Sequence, residues 1–175
     1  NLLIGYFSYI VFGIILLMMP FSRKVPISFV DNLFNVTSAV STTGLATVDL
    51  INSYTFFGQF VILFLIQMGG IGYMTLSSYI MYRMTHHFMR IKNGVMRASF
   101  TLPAEFDMQT LVRDVIKFTF IIELVGALLL WLFFAMDKAP MPFWNGIFIS
   151  ISAFCTAGFS LFHNSLTIFD TNVGV

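Results

Sequence analysis

Three long apolar runs divide the chain: Leu2–Met19, Phe56–Met84 and Val115–Met136. A helix that crosses a bilayer needs roughly 20 mostly apolar residues at about 1.5 Å rise each, so each run is predicted to span. Pro20 marks the end of the first. The second carries no charge until Arg83, and the third is interrupted only by Lys117 near its start and Glu123 inside it. The first run is not read as a secretory signal, because no basic segment precedes it and no small-residue cleavage site ends it.

Two further apolar stretches, Asp31 to Thr42 and Asn145 to Thr156, are too short to cross. At about 12 residues each they are expected to be buried, interfacial or re-entrant. Both end in Thr-x-Gly, at Thr42-Thr43-Gly44 and Thr156-Ala157-Gly158. Both begin with a residue suited to cap a helix N-terminus, Asp31 and Asn145, whose side chains accept from free backbone N–H groups. A capped short helix running into a glycine loop is the pattern of a pore loop.

Composition supports a membrane setting. Apolar residues make up 58% of the 175 positions and charged residues 10%, with a mean hydropathy of +0.87; soluble domains carry about 25% charged residues. The 22 phenylalanines and 11 methionines suit surfaces that meet lipid or other helices. Lipid is therefore the first expected partner, and nothing points to nucleic acid. The net charge of +1 is uninformative, but the placement of charge is not. Six of the nine Lys and Arg residues (Arg83, Arg90, Lys92, Arg97, Arg113, Lys117) lie in or beside the link between the second and third runs. The positive-inside rule makes that link cytoplasmic and puts 20–55 and 137–175 outside. The single cysteine, Cys155, excludes an intrachain disulfide and argues against a cysteine-based metal site.

Sliding the chain against itself by 114 positions exposes a duplication. Lys24 falls on Lys138, Pro26 on Pro140, Phe29 on Phe143, Phe34 on Phe148, Ser38 on Ser152, Ala39 on Ala153, Thr42 on Thr156 and Gly44 on Gly158. These are eight identities in the 21 ungapped positions from Lys24 to Gly44, and Leu16 also falls on Leu130. Apolar bias alone does not match Lys, Pro, Ser, Thr and Gly in register. The predicted fold is thus an all-α membrane protein of repeated helix–pore-loop–helix units. A first unit covers 1–84, a basic cytoplasmic linker 85–113, and a second unit 114–175. The second unit stops before its inner helix, so the functional protein is expected to continue.

Such loops have the chemistry to pass a cation. A permeating ion must exchange its water shell for protein oxygens, and backbone carbonyls supply these without the deep trap of a carboxylate. Aiming carbonyls at one axis needs backbone angles that glycine tolerates at positive φ, which singles out Gly44 and Gly158. The carbonyls of Thr42, Thr43, Thr156 and Ala157 would line the path, and the Thr42 and Thr156 hydroxyls would add oxygens at its inner mouth. The short helices point their negative dipole ends at the same place. No acidic residue sits in either Thr-x-Gly, which argues against a carboxylate filter. A plainer reading remains open, in which each Thr-x-Gly only ends a buried helix with a glycine C-cap.

With these motifs in hand, the chain resembles the TrkH/KtrB (Trk/Ktr/HKT) superfamily of potassium transporters along essentially its whole length. Asp31-Asn32-Leu33-Phe34 and Thr37-Ser38-Ala39-Val40-Ser41-Thr42-Thr43-Gly44-Leu45 resemble that family's first pore loop. Phe57-Gly58-Gln59 and Gln67-Met68-Gly69-Gly70-Ile71-Gly72 resemble its following helix, and Ser152-Ala153-Phe154-Cys155-Thr156-Ala157-Gly158-Phe159 its second loop. The resemblance implies four repeats around one pore, with one and a half present here. It implies a K+ filter with one glycine per loop, formed here by Thr42, Thr43, Gly44, Leu45, Thr156, Ala157, Gly158 and Phe159. Serine at the first-loop glycine shifts some members toward Na+, so Gly44 favours K+. The resemblance further implies a homodimer in the bacterial inner membrane, gated by a cytoplasmic nucleotide-binding ring of the TrkA/KtrA type, with no cofactor and no metal beyond the permeant ion.

Other residues carry two readings each. Glu123 is either a cation-path group or a carboxyl tying its helix to a neighbour, since ionised groups inside a membrane usually have a partner. Gly69, Gly70 and Gly72 mark either a hinge or a close helix contact, in which Gln67 would hydrogen-bond. His86 and His87 point apart at a helix end with no third ligand nearby, and read as part of a basic stretch. Trp131 and Trp144 fit interfacial anchors. Competing functions are a two-pore-loop cation channel subunit completed by dimerisation, a sodium-conducting or sodium-coupled relative, and a secondary transporter with broken helices. The last usually shows inverted repeats, whereas this repeat is parallel. No nucleophile–base pair or metal cluster supports an enzyme.

Overall fold

The computed structural model describes residues 2–70, 72 and 108–162. They form α1 (Leu2–Met18), a 3-10 turn (Pro20–Ser22), α2 (Phe29–Val40), α3 (Leu50–Ser53), α4 (Phe56–Gly70), α5 (Met108–Met136) and α6 (Pro142–Phe154). There is no strand among the described residues, only an isolated antiparallel bridge between Arg23 and Tyr54. The protein is helical, as an all-α membrane protein requires.

The long apolar runs appear as helices with shifted ends. Residues 113–136 within α5 are the one described stretch long and apolar enough to cross a bilayer; α1, α4 and α6 are shorter apolar helices. At 17 residues α1 is about 25 Å long, just short of a hydrocarbon core of about 30 Å. The third run begins at Met108 rather than Val115. Hydropathy marks where a helix enters lipid, and here the polar turn before it is helical too. The expected continuous helix Phe56–Met84 does not form as such: α4 ends at Gly70, and Gly72 has φ +84°, which no α-helix continues through. The rest of that run, His86 and His87, and the linker up to residue 107 lie outside the described residues.

Both expected capping residues are displaced. Ser28, not Asp31, caps α2, its hydroxyl accepting from Val30 N at 3.2 Å. Asp31 sits in the first turn, where its charge still favours the helix dipole. Helix α6 starts at Pro142, a residue pre-set for a first helical turn, after Met141 in the left-handed region (φ +47°). Asn145 is therefore already inside the helix and buried, its Nδ2 donating to Pro140 O at 2.7 Å.

Packing follows the repeat. Helices α1, α2 and α4 pack on one another, and α5 packs along α6. Gly13 permits the first of these contacts: a Cβ there would meet Leu65 Cδ1 at 2.8 Å and Val36 Cγ1 at 2.9 Å. On α5 the inward stripe is Thr119, Glu123, Gly126, Leu130 and Phe134, at helical three- and four-residue spacing. The flanking Phe118, Phe120, Ile121, Leu124, Leu128 and Leu132 are exposed, as a lipid-facing surface would be. One core joins the two units. Leu17, Val36, Val40, Ile62 and Ile66 of the first lie in the same buried cluster as Phe148, Ala157 and Leu161 of the second.

Candidate functional site

The two Thr-x-Gly segments fold alike and meet. Helix α2 ends at Val40, and its last turn closes with Thr42 N donating to Ala39 O (3.2 Å) and Thr43 N to Ser38 O (2.9 Å). Helix α6 ends at Phe154, with Thr156 N on Ala153 O (3.0 Å) and Ala157 N on Ser152 O (2.7 Å). These paired bonds define a Schellman closure, which puts the residue after the C-cap in the left-handed region. Here that residue is a threonine in both copies: Thr42 has φ +51° and Thr156 φ +53°. A β-branched side chain there is costly, at roughly 1–2 kcal/mol. The register of 114 found in the sequence is thus repeated bond for bond in the backbone.

Gly44 (φ +83°) and Gly158 (φ +68°) follow two residues later. Each lies beyond the closure, so the glycine is not the helix cap; threonine fills that place. A Cβ on Gly44 would run into the carbonyl oxygen of Ala157 and lie 3.1 Å from the Gly158 Cα. The two loops therefore approach backbone to backbone, with no room for a side chain. Thr42 Oγ1 donates to Ser41 O at 2.8 Å and Thr156 Oγ1 to Cys155 O at 2.7 Å. With the protons turned away in this manner, both hydroxyl oxygens keep lone pairs for another partner.

Coverage of the two loops differs. Ala157 and Phe159 are buried, whereas Thr43 and Leu45, their equivalents in the first loop, are exposed. Loop two is covered by the first unit, and loop one has no corresponding neighbour among the described residues.

Behind the loops, α4 serves both. A Cβ on Gly69 would run into Val40 O at the end of α2, and one on Gly70 into Cys155 Sγ beyond the end of α6. Adjacent glycines thus let one helix touch the bases of both loops, while Gly72 breaks it. Gln67, two residues before Gly69, donates from Nε2 to both carboxylate oxygens of buried Glu123 at 2.9 Å, and its Oε1 takes Cys155 Sγ at 3.9 Å. Ser150 Oγ donates to Glu123 O at 2.8 Å. Glu123 thereby ties the outer helix of the second unit to the inner helix of the first. Replacing it by leucine strands the Gln67 amide, and a melt of the purified full-length protein in detergent should show a loss of about 0.6–1.7 kcal/mol. Glu123→Gln, which keeps an acceptor, should lose less.

Trp144 is half-buried and bonded within the protein. Its Nε1 donates to Gln59 Oε1 at 2.8 Å and its ring lies 4.3 Å from that of Phe56. Trp131 is more exposed, with its ring edge-on to Phe143. Sequence reasoning missed this Trp144–Gln59 link and the buried polar residues of α2, Asn32 and Asn35. Asn35 Oδ1 accepts from Thr47 N at 3.0 Å, its Nδ2 donates to Tyr54 Oη at 3.1 Å, and Tyr54 Oη donates to Asn32 Oδ1 at 2.9 Å. Two asparagines in one apolar helix were the available signal.

The described residues are thus those of a helical protein with apolar, membrane-type helices, in which two matched, glycine-requiring loops meet. Its residues 7–175 match the TrkH family of cation transport proteins, and the chain belongs to that family. It is 38% identical over 170 residues to the Ktr system potassium uptake protein B of Bacillus subtilis, across 94% of this chain and 37% of the relative. It is 35% identical over 175 residues to the potassium/sodium uptake protein NtpJ of Enterococcus hirae, across 97% and 38% respectively. A Ktr system potassium uptake protein B of Vibrio alginolyticus is 29% identical over 173 residues, 96% of this chain and 37% of that one. The chain thus spans less than two fifths of the length of these relatives.

Proposed function

We propose that this chain forms part of the pore of a potassium-uptake protein, with its two Thr-x-Gly loops contributing to the selectivity filter. One observation carries the reading: two loops of identical backbone closure meet at Gly44 and Ala157 so closely that no side chain fits. Backbone outside a regular helix is tolerated at membrane depth only where it is buried in protein or lines water. The carbonyls of Thr42, Thr43, Thr156 and Ala157, with the two threonine hydroxyls, supply the oxygens that replace the ion's water. K+ is the permeant ion, and no other cofactor is required. Loops 20–55 and 137–175 face outside and the basic 85–113 stretch faces the cytoplasm.

The whole protein completes the ring with further repeats of the same unit. Relatives more than twice as long as this chain favour that arrangement over a two-loop subunit closed by dimerisation. The uncovered Thr43 and Leu45 are the face that another repeat would cover. Relatives named as parts of a Ktr system support a partner subunit; the homodimer and the cytoplasmic nucleotide-binding ring rest on the family resemblance alone. A sodium-conducting alternative is favoured by the relative named as a potassium/sodium uptake protein.

The test is growth at low potassium. Full-length protein is expressed in a bacterium lacking its own potassium uptake, as wild type and as Gly44→Ser. Rescue by wild type, with loss or a shift toward Na+ in the variant, is the expected result. Equal rescue by both would remove Gly44 from the filter.

A further inference from the structure

We infer that Asn35 is a positioning residue that holds the first filter loop in its conducting shape, and that the second loop is held by a different device, Ser152. The inference rests on the pore reading above and goes beyond it, because Asn35 lies in a helix and its side-chain hydrogen bonds go to Tyr54 and Thr47, outside the filter residues.

The hydrogen-bond polarity around Asn35 is fixed by its neighbours. Tyr54 is fully buried and its one hydroxyl proton goes to Asn32 Oδ1 (2.9 Å), so its oxygen must accept from Asn35 Nδ2 (3.1 Å). That orients the Asn35 amide, turning Oδ1 to the backbone N–H of Thr47 at 3.0 Å. Thr47 is three residues past Gly44, where the chain leaves the loop. Asn35 thus fastens the outgoing arm of the loop to the pore helix that delivered the incoming arm. The chain of bonds continues: Gln59 Nε2 donates to Tyr54 O at 3.2 Å, and Gln59 Oε1 accepts from Trp144 Nε1 of the second unit.

The second repeat cannot build this device, because the positions equivalent to Asn32 and Asn35 are Gly146 and Ile149. There Ser152 Oγ, on the pore helix, donates to Phe159 O at 2.8 Å, one residue past Gly158. Its first-repeat equivalent, Ser38, is buried with no partner for its hydroxyl among the described residues. Among the described residues each loop therefore has its own clasp, built from a different position of its pore helix. Symmetry of the filter backbone is kept although symmetry of its supports is not.

The experiment measures the ratio of K+ to Na+ flux through full-length protein in proteoliposomes, with Gly44→Ser as the reference filter variant. Asn35→Leu, which keeps the branched shape but has no polar atom, is expected to lower the ratio about tenfold, the size of the lost bond to Thr47 N. Ser152→Ala should also lower it, and Ser38→Ala should leave it unchanged. Tyr54→Phe removes the oxygen that orients Asn35 and should lower the ratio several-fold. Combined with Asn35→Leu it should add nothing, since both act through one chain. A normal ratio in Asn35→Leu, or in Tyr54→Phe if the leucine variant does not reach the membrane, overturns the inference. If Gly44→Ser shifts the ratio while these do not, only the positioning role falls. If wild type passes no K+, the pore reading falls with it.

Discussion

A single methyl group at position 44 is expected to abolish potassium uptake. Gly44→Ala meets two obstacles at once. The backbone there has φ +83°, a region that L side chains rarely adopt. The new Cβ also runs into the Ala157 carbonyl oxygen, with the Ala157 carbon at 3.0 Å and the Gly158 Cα at 3.1 Å behind it. Because the obstructing atoms are backbone, no rotamer change relieves the contact, and the loops must separate. On the proposed reading, opening them changes how the carbonyls coordinate an ion in place of its water. Rubidium-tracer uptake in proteoliposomes should fall at least about tenfold, while protein recovered as a single species in detergent should stay near wild type. The latter is expected because overpacking typically costs about 1–3 kcal/mol. Uptake within about twofold of wild type would mean the loops are not the narrow part of the path.

Much of this site was legible because the duplication is written in residues whose backbone behaviour is unusual. Gly44 and Gly158 were singled out for positive φ, and both have it. The matched Ser38/Ser152, Ala39/Ala153 and Thr42/Thr156 reappear as matched backbone bonds. What the sequence did not announce is that threonine would occupy the left-handed closing position. Propensity forbids it locally, and only the packed surroundings hold it there. The capping errors have a similar origin. Asp31 and Asn145 are good caps in isolation, but Ser28 lies a turn upstream of the first, and Pro142 already starts the second helix.

Partnerships were less legible than positions. Glu123 and Gln67 each stood out as polar residues in apolar runs, yet they are 56 residues apart, and nothing local says that they meet. Asn35 escaped notice for the opposite reason. A search by repeat rewards what the two units share, and Asn35 faces Ile149 in that alignment. Of the residues that tie the units together, Trp144 on Gln59 and Glu123 on Gln67, the two in the second unit are unshared in the same sense, since Trp144 falls on Val30 and Glu123 on Tyr9. A duplicated unit keeps common residues where its two loops must fold alike and distinct ones where each copy meets its own neighbour.

The second large effect is expected at Gly69, against the base of the first loop. Its Cβ would run into Val40 O, with the Val40 carbon at 3.0 Å and Thr42 Cγ2 at 3.2 Å. The obstructing oxygen belongs to the last residue of α2, and the methyl group to the strained threonine that closes it. Gly69→Ala must therefore push α4 away from the base of the first loop, or displace the closure itself. Small residues in membrane helices are common where backbones approach closely, but most such contacts involve side chains that can turn aside. Gly126 provides that comparison within the same protein. A Cβ there meets only the Ser150 side chain, with Oγ at 2.5 Å and Cβ at 3.5 Å, and the serine can rotate at the cost of its bond to Glu123 O, about 1 kcal/mol. Gly69→Ala should therefore lose most uptake, with protein recovered in detergent near wild type as for Gly44→Ala, and Gly126→Ala should lose little of either. Gly70→Ala, against the Cys155 side chain, should fall between them. Equal, mild losses at Gly69 and Gly126 would show that α4 does not support the loop, and that the filter is held by its pore helix alone.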